Sequence, residues 1–519
     1  MQDNRHTYLS RGLIFTIIAV LMTLGLRWPL RDIFLYNVDE AVSAVVGQTI
    51  HSGGHPYHNS IDHRGPLTYY AYAAIIGMKN AEPMPAIHGA YAILIAGLCV
   101  LIWLAVRRWA DDLTGGIAAL LLAAWSWSGP PMDLWAAHTE WLLIAGTLLG
   151  VWLLPEKARP LPALLAGITV GLAALSKQVA VWDAAALGIF LLFRTGKPDF
   201  SPANLLTMAA FTLGCLLPPG LFMGYAGMHH FLDEAIFYVW TYNTRYYLPE
   251  VDLSERIAGS VAMLGGLLGN KPLAPAAALF LYWQFRPRSG SDPAPGLLLL
   301  ICWLTGSTLG ALTGGRSFVH YGIQMLPALC WAGAWVLGWL WHQGSTHPGL
   351  RVLTVLLAAA SILTPILGTR VQTHVYIREA LEAAPSPVAQ YLAGHTQPDE
   401  GLFVWGFCPE LYVETGLRPA SRYGYTNVLT GLIPWENLDQ PDTRYAIPPG
   451  VRDTLMQELT TRPPKYIVDT APADWNYYGR YPLTTFSALD SFIHAHYQAD
   501  TVFRAAFPAC KWVLYHYQP

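Results

Sequence analysis

Residues 66–78, PLTYYAYAAIIGM, decide the topology of the chain. The run is apolar, but a membrane-spanning helix needs about 20 mainly apolar residues, so this one is too short to cross comfortably. Tyr69, Tyr70 and Tyr72 cluster within it, and tyrosine favours the boundary between membrane and water. The run therefore reads as an interfacial or re-entrant helix on the outer side. Counting it as a crossing would invert everything after it and place Arg107 and Arg108 outside, against the preference of Lys and Arg for the cytoplasm.

The same preference orders the rest of the sequence. Arg5 and Arg11 precede the first apolar run, and Arg107 with Arg108, Lys157 with Arg159, Arg194 with Lys197, and Arg286 with Arg288 separate later ones. With all five groups cytoplasmic, spans fall near 12–30, 86–106, 114–130, 141–154, 161–176, 179–193, 203–223, 271–285, 296–312, 321–341 and 351–369, about 11 crossings in all. Residues 257–270 are ambiguous, because Gly269, Asn270, Lys271 and Pro272 break the run.

Composition agrees with a bilayer as the solvent. Only 13% of the 519 residues are charged, 53% are hydrophobic and 20 are tryptophan, whereas soluble proteins carry about 25% charge. A net charge of -3 provides no global basic field for nucleic acid. Residues 12–26 lack an A-x-A-like exit and read as an anchor, not as a cleavable signal. Cys99, Cys215, Cys302 and Cys330 lie in apolar runs, where a thiol behaves as a small hydrophobe. Cys408 and Cys510 lie in the polar C-terminal third, where an oxidising compartment would permit a disulfide.

Three polar outer segments follow: 31–65 within a first outer loop 31–85, 224–256, and everything after about residue 370. Residues 1–370 are expected to form a transmembrane domain and 371–519 an extracytoplasmic soluble domain. Strand-like runs GLFVWGF (401–407) and KYIVDT (465–470) alternate there with turn-rich stretches, which predicts an α/β or mixed fold. No solenoid repeat, low-complexity tract or heptad pattern appears.

The densest ionisable cluster near the membrane is 37–66, with Asp39, Glu40, His51, His55, His58, Asp62, His63 and Arg64. AVSAVVGQTI after the two acids predicts a helix holding both carboxylates at its N-terminus, where they are also explained as first-turn charges favourable to the helix dipole. Glu140 begins an apolar helix in MDLWAAHTEWLLIAG, beside Asp133 and His138. Ionisable groups at the rim of a span point to function because they are costly to desolvate. Asp39 and Glu140 are both expected on the outer face, where carboxylates can deprotonate an acceptor or hold a divalent cation. In GGRSFVHYGIQMLP (314–327), Arg316 and His320 are four apart and would share a helical face if the helix starts early enough. With Tyr321 they suit recognition of a phosphate at headgroup depth, or simple interfacial anchoring. Lys177 in LSKQVAV lies at another outer helix end, with the same two readings.

Taken together, the Asp39–Glu40 pair, GGHPY followed by HRGPLTYY, HTEWLLI, LSKQ, GGRSFVHYGIQMLP and VWGFCPELYVETGLRPASRY resemble a known family over most of residues 10–430. The family is the polyprenyl-phosphate-sugar-dependent transferases of the C-type glycosyltransferase fold, akin to protein O-mannosyltransferases and aminoarabinose transferases. The resemblance implies an α-helical polytopic membrane enzyme of the bacterial inner membrane, with its active site and C-terminal domain facing the periplasm. It implies a lipid-linked sugar donor, a lipid, glycan or protein acceptor, and inversion at the anomeric carbon. The family's first-loop acid falls on Asp39, with Glu40 beside it, and its second-loop acid on Glu140. Its Arg-x-x-x-His-Tyr element falls on Arg316, His320 and Tyr321, near the donor phosphate. Many relatives read Lys-Pro-Pro-Leu where this chain has Arg64-Gly65-Pro66-Leu67, so the cation is kept as Arg and one proline is lost.

The expected mechanism is direct displacement, with Asp39 as base and Arg64, Arg316 and His320 stabilising the departing phosphate; Lys177 is a further candidate for it. No dedicated metal motif is visible, the spacing of His51, His55, His58 and His63 matches no recognised zinc pattern, and a divalent cation is the only cofactor left open. A transporter or lipid flippase is the rival class, but its charges would gather near the bilayer midplane on repeated halves. A non-catalytic assembly or receptor protein is the third reading.

Overall fold

A computed structural model describes residues 3–78, 83–247, 252–284, 294–382, 385–397, 400–435, 437–506 and 511–518. The chain forms two compact units. The first comprises Met1–Tyr36, Met84–Tyr225 and Val251–Ala380; the second comprises Asn37–Pro83, Ala226–Glu250 and Leu381–Pro519.

The first unit is helical, and a helix coincides with each apolar run read as a span. Six stretches are long and apolar enough to cross a membrane among the described residues: Arg11–Leu30, Pro83–Trp109, Pro202–Met228, Pro295–Leu312, Val319–Gln343 and Pro348–Thr369. Four shorter apolar helices join them: Asp112–Trp125, Thr139–Leu153, Pro160–Ser176 and Gln178–Phe193. The ambiguous stretch before residue 271 forms the helix Leu253–Leu268, and Leu273–Gln284 follows the break. Arg286 and Arg288 lie outside the described residues.

Without a hydrophobic drive between helices in lipid, close packing depends on small residues at contacts. Gly116 shows this: a Cβ there would stand 2.7 Å from the Gly12 Cα, so the helices Asp3–Arg27 and Asp112–Trp125 meet backbone to backbone. The Asp112 carboxylate accepts the Gly12 N–H across that contact at 3.0 Å. Leu13, Ile14, Ile17, Ile18 and Leu21 stay exposed, as lipid-facing residues should. This is a polytopic membrane protein.

The second unit gathers the first loop with the C-terminal region. Its centre is a five-stranded sheet of β1 (Gly401–Trp405), β2 (Arg418–Pro419), β3 (Tyr466–Asp469), β4 (Tyr497–Ala499) and β5 (Val513–Tyr517), in the order β2-β1-β3-β5-β4. β1 runs parallel to β2 and β3, whereas β5 is antiparallel to β3 and β4. Leu402 through Trp405 are buried, which explains the unbroken apolar run in that strand. Cys408 is a buried free thiol, and Cys510 lies outside the described residues.

The helices Val38–His51 and Pro66–Gly77 belong to this unit. The second confirms 66–78 as a short helix. Tyr69 and Tyr72 are fully buried, because their rings pack inside the unit and Tyr69 has a polar partner there.

Candidate functional site

In the second unit, an Asn-x-x-Glu pattern sets the first acid in place. The Asn37 side chain accepts the Asp39 N–H at 2.9 Å, and Glu40 reaches back to accept the Asn37 N–H at 3.3 Å, a capping box that starts the helix Val38–His51. Glu40, at 1% exposure, is thus a cap that fixes the turn carrying Asp39.

Asp39 is paired with Arg64, whose Nη2 lies 2.5 Å from its Oδ1. Arg64 Nη1 donates to Asp62 Oδ2, also at 2.5 Å, so one guanidinium joins two carboxylates. The two acids differ in access: the Asp39 side chain is 27% exposed and that of Asp62 1%. Asp62 accepts further bonds from the hydroxyls of Tyr69 at 2.8 Å and Tyr425 at 2.9 Å, and His63 Nδ1 lies 3.1 Å away. Burial alone would raise its pKa, but the charges of Arg64 and His63 and the Tyr69 hydroxyl outweigh it and hold the carboxyl well below the usual range. Tyr57 donates to the Arg64 carbonyl at 2.7 Å, and Asn243 to the His63 carbonyl at 2.9 Å. Asn243 belongs to the π-helix Phe237–Tyr247, a rare backbone form that often marks functional segments. The remaining loop histidines are dispersed. His58 pairs with Glu234 at 3.0 Å, and His55 lies against the rings of His229 and Phe231.

The first unit carries a second cluster. Lys177, the residue at which the helix Pro160–Ser176 ends, donates to Glu140 at 2.5 Å and lies 3.6 Å from the centre of the Tyr321 ring. His320 accompanies Tyr321 in the 3-10 helix Val319–Met325; its Nδ1 lies 2.8 Å from Asp133, which also accepts the His320 backbone N–H at 3.2 Å. His138 stacks on His320, with ring centres 4.1 Å apart, and its Nε2 lies 2.8 Å from the Met132 carbonyl. Arg316 is buried at 3% exposure but shares no helical face with His320. Helical structure starts only at Val319, because the backbone from Gly315 runs through a left-handed turn (φ +62°) packed against the helix Leu253–Leu268.

Each unit thus holds a cation clasped by acid: Arg64 by Asp39 and Asp62, Lys177 by Glu140. Sequence reasoning singled out both cations, the accessible Asp39 and the buried Glu140. It assigned no role to Asp62 or Asp133, which hold Arg64 and His320, nor to Tyr425 and His138. For Asp62 the available signal was an acid two residues before the arginine; for Tyr425 there was none.

No protein-family model matches the chain, and no curated protein matches it by sequence. Solved structures do match in three dimensions. ArnT from Cupriavidus metallidurans, bound to undecaprenyl phosphate, superposes with a TM-score of 0.59 at 14% identity, covering 97% of this chain and 97% of ArnT. The oligosaccharyltransferase AglB from Archaeoglobus fulgidus, in complex with an inhibitory peptide and a dolichol-phosphate, gives 0.57 at 13% identity, covering 94% of this chain and 72% of AglB. The Archaeoglobus fulgidus oligosaccharyltransferase in complex with Zn and sulfate gives 0.53 at 14%, covering 90% and 69%. The chain has the C-type glycosyltransferase fold of these proteins.

Proposed function

We propose that this membrane protein is a glycosyltransferase that moves a sugar from a polyprenyl phosphate to an acceptor at the periplasmic face, with inversion. The observation that carries the reading is the Arg64 guanidinium, held on one side by buried Asp62 and on the other by the more accessible Asp39. Likeness over nearly the whole chain to a protein bound to undecaprenyl phosphate supports the donor class.

In this reading the donor phosphate competes with Asp39 for Arg64 Nη2 while Asp62 retains Nη1. A carboxylate that loses its counter-ion becomes a stronger base. Asp39 then takes the proton of the acceptor hydroxyl or amine as that atom attacks the anomeric carbon. The bond from this carbon to the phosphate oxygen breaks, and its electron pair leaves with the polyprenyl phosphate. Arg64 stabilises the charge on the leaving group, and within the first unit we assign Lys177, Arg316, His320 and Tyr321 to phosphate recognition. Glu140 orients Lys177, and Glu40 orients Asp39. The test is to incubate purified protein with a panel of radiolabelled polyprenyl-phosphate sugars and membrane extract. Label transferred by the wild type and not by Asp39→Asn supports the reading; no transfer from any donor, with both proteins folded, moves the weight to a transporter.

The histidine pair fits a divalent cation. One nitrogen of each ring is fixed by an acceptor, His320 by Asp133 and His138 by Met132, and this arrangement orients ligating imidazoles. His138 and His320 would hold the ion, which when bound would supply positive charge against the phosphate. Chelation is then expected to suppress transfer, and added Zn²⁺ or Mn²⁺ to restore it. Asp133→Asn is expected to weaken metal affinity by about 10- to 100-fold, as read by metal titration of the purified protein; unaltered affinity would remove the ion from the scheme.

A further inference from the structure

The sheet of the second unit forks between β1 and β3. From β1 the chain turns outward to β2 on one side, and from β3 it goes on to β4 and β5 on the other. In open sheets, the carboxyl ends of parallel strands at such a fork border a crevice that takes ligands. Trp405 and Asp469 are register partners, so the two strands end level, and the segments that follow them meet: the Thr470 N–H donates to the Trp405 carbonyl at 3.1 Å.

Three large aromatic side chains stay exposed around these segments, Trp435 at 45% and Trp475 and Tyr477 at 41% each. Trp435 and Trp475 border Phe407–Glu410, and Asn476 ties the turn that carries Tyr477 to the same segment. Trp475 Nε1 donates to Glu410 Oε1 at 3.0 Å, the Asn476 amide next to Tyr477 donates to the Phe407 carbonyl at 2.8 Å, and the Phe407 ring lies 6.0 Å from that of Trp435. The backbone holding them is strained, with positive φ at Trp435 (+61°), Asp474 (+50°), Asn476 (+49°) and Tyr477 (+68°). Non-glycine residues in this region are maintained at a cost and cluster at ligand clamps. Here the strain displays rings that a stable fold would otherwise cover. Glu410 Oε2 meanwhile accepts no hydrogen bond although it is shut off from solvent.

We infer that this end of the sheet is a saccharide-binding site, with sugar ring faces resting on Trp435, Trp475 and Tyr477 and sugar hydroxyls bonding to the Asn476 amide and the Tyr477 hydroxyl, while Glu410 holds the Trp475 ring in place. A sugar ring combines apolar C–H faces with a polar hydroxyl edge. The site matches both, since the flat faces of Trp and Tyr suit the first and the Asn476 amide and Tyr477 hydroxyl suit the second. The site stands independently of the transfer reaction, because binding needs neither donor nor turnover.

The experiment uses full-length protein in detergent, fluorescently labelled, on an array of hexose, hexosamine, deoxyhexose and pentose oligosaccharides. The wild type is expected to bind at least one class. Trp475→Ala and Tyr477→Ala should each weaken that binding by about tenfold, the loss expected of a central aromatic contact. Trp240→Ala, which removes another exposed tryptophan, at 64% exposure, should leave it unchanged. Matching melting temperatures would confirm that the variants are folded. Absence of binding to every class overturns the assignment, as do equal binding by Trp475→Ala, Tyr477→Ala and wild type, and full displacement of bound sugar by lipid vesicles or by a peptide mixture.

Discussion

Asp39→Asn is expected to lower the rate of sugar transfer by about 10²- to 10⁴-fold, the contribution of a positioned general base, while leaving donor binding and folding largely intact. Asn fills the same volume, and the turn does not depend on the carboxylate: the Asn37 side chain takes the backbone N–H of residue 39, and Glu40 completes the cap. Arg64 loses one anionic partner but remains anchored through Nη1 to Asp62. Relieved of that competition, Arg64 should hold the donor phosphate at least as well as before. The variant therefore separates two roles that share one residue. If Asp39 is the base, single-turnover experiments with labelled donor show a collapse in kcat with the KM for donor unchanged or lower. If Asp39 serves only to hold Arg64, the loss appears in donor KM and kcat survives. Full activity would eliminate both roles.

The parts of this structure that are written locally were legible in the sequence. Apolar runs of spanning length became helices because lipid forces backbone groups to pair within each segment. The acids at 39 and 40 were read as the start of a helix because the caps of a helix lie within a few residues of its first turn, here Asn37 to Glu40. Apolar runs likewise announced β1 and β3. Partnerships were not legible, because they are set by packing over long separations. Glu140 meets Lys177 across 37 positions, His320 meets Asp133 across 187, and Asp62 meets Tyr425 across 363. The burial of Tyr69 and Tyr72 was not legible for the same reason, since residue type alone does not announce a buried hydroxyl partner. Nor does any glycine mark the left-handed backbone at Trp435 and Tyr477, so the display of those rings has no sequence signature.

Asp62→Ala is expected to destabilise the second unit by about 3–5 kcal/mol, the usual consequence of removing one member of a buried ion pair. The magnitude follows from how many groups would be stranded. Arg64 would lose the partner that stays out of solvent, and the hydroxyls of Tyr69 and Tyr425 would lose their acceptor in the interior. These donors come from the loop, from the helix Pro66–Gly77 and from the C-terminal region, so one carboxylate joins three stretches of chain. Its pH dependence separates this role from simple loss of packing. Because Asp62 has a lower pKa folded than unfolded, where it is about 3.9, its contribution is complete above about pH 5 and declines as the pH falls below that. Asp62→Asn, which preserves the volume, should lie well below wild type in melting temperature at pH 7. The gap should narrow progressively from about pH 5 to pH 3 as the wild type loses what the variant never had. Thermal unfolding of both proteins in detergent, followed by tryptophan fluorescence over that range, measures it directly. A gap of constant size would mean that Asp62 contributes through shape alone, and the proposed anchoring of Arg64 by its charge would fail with it.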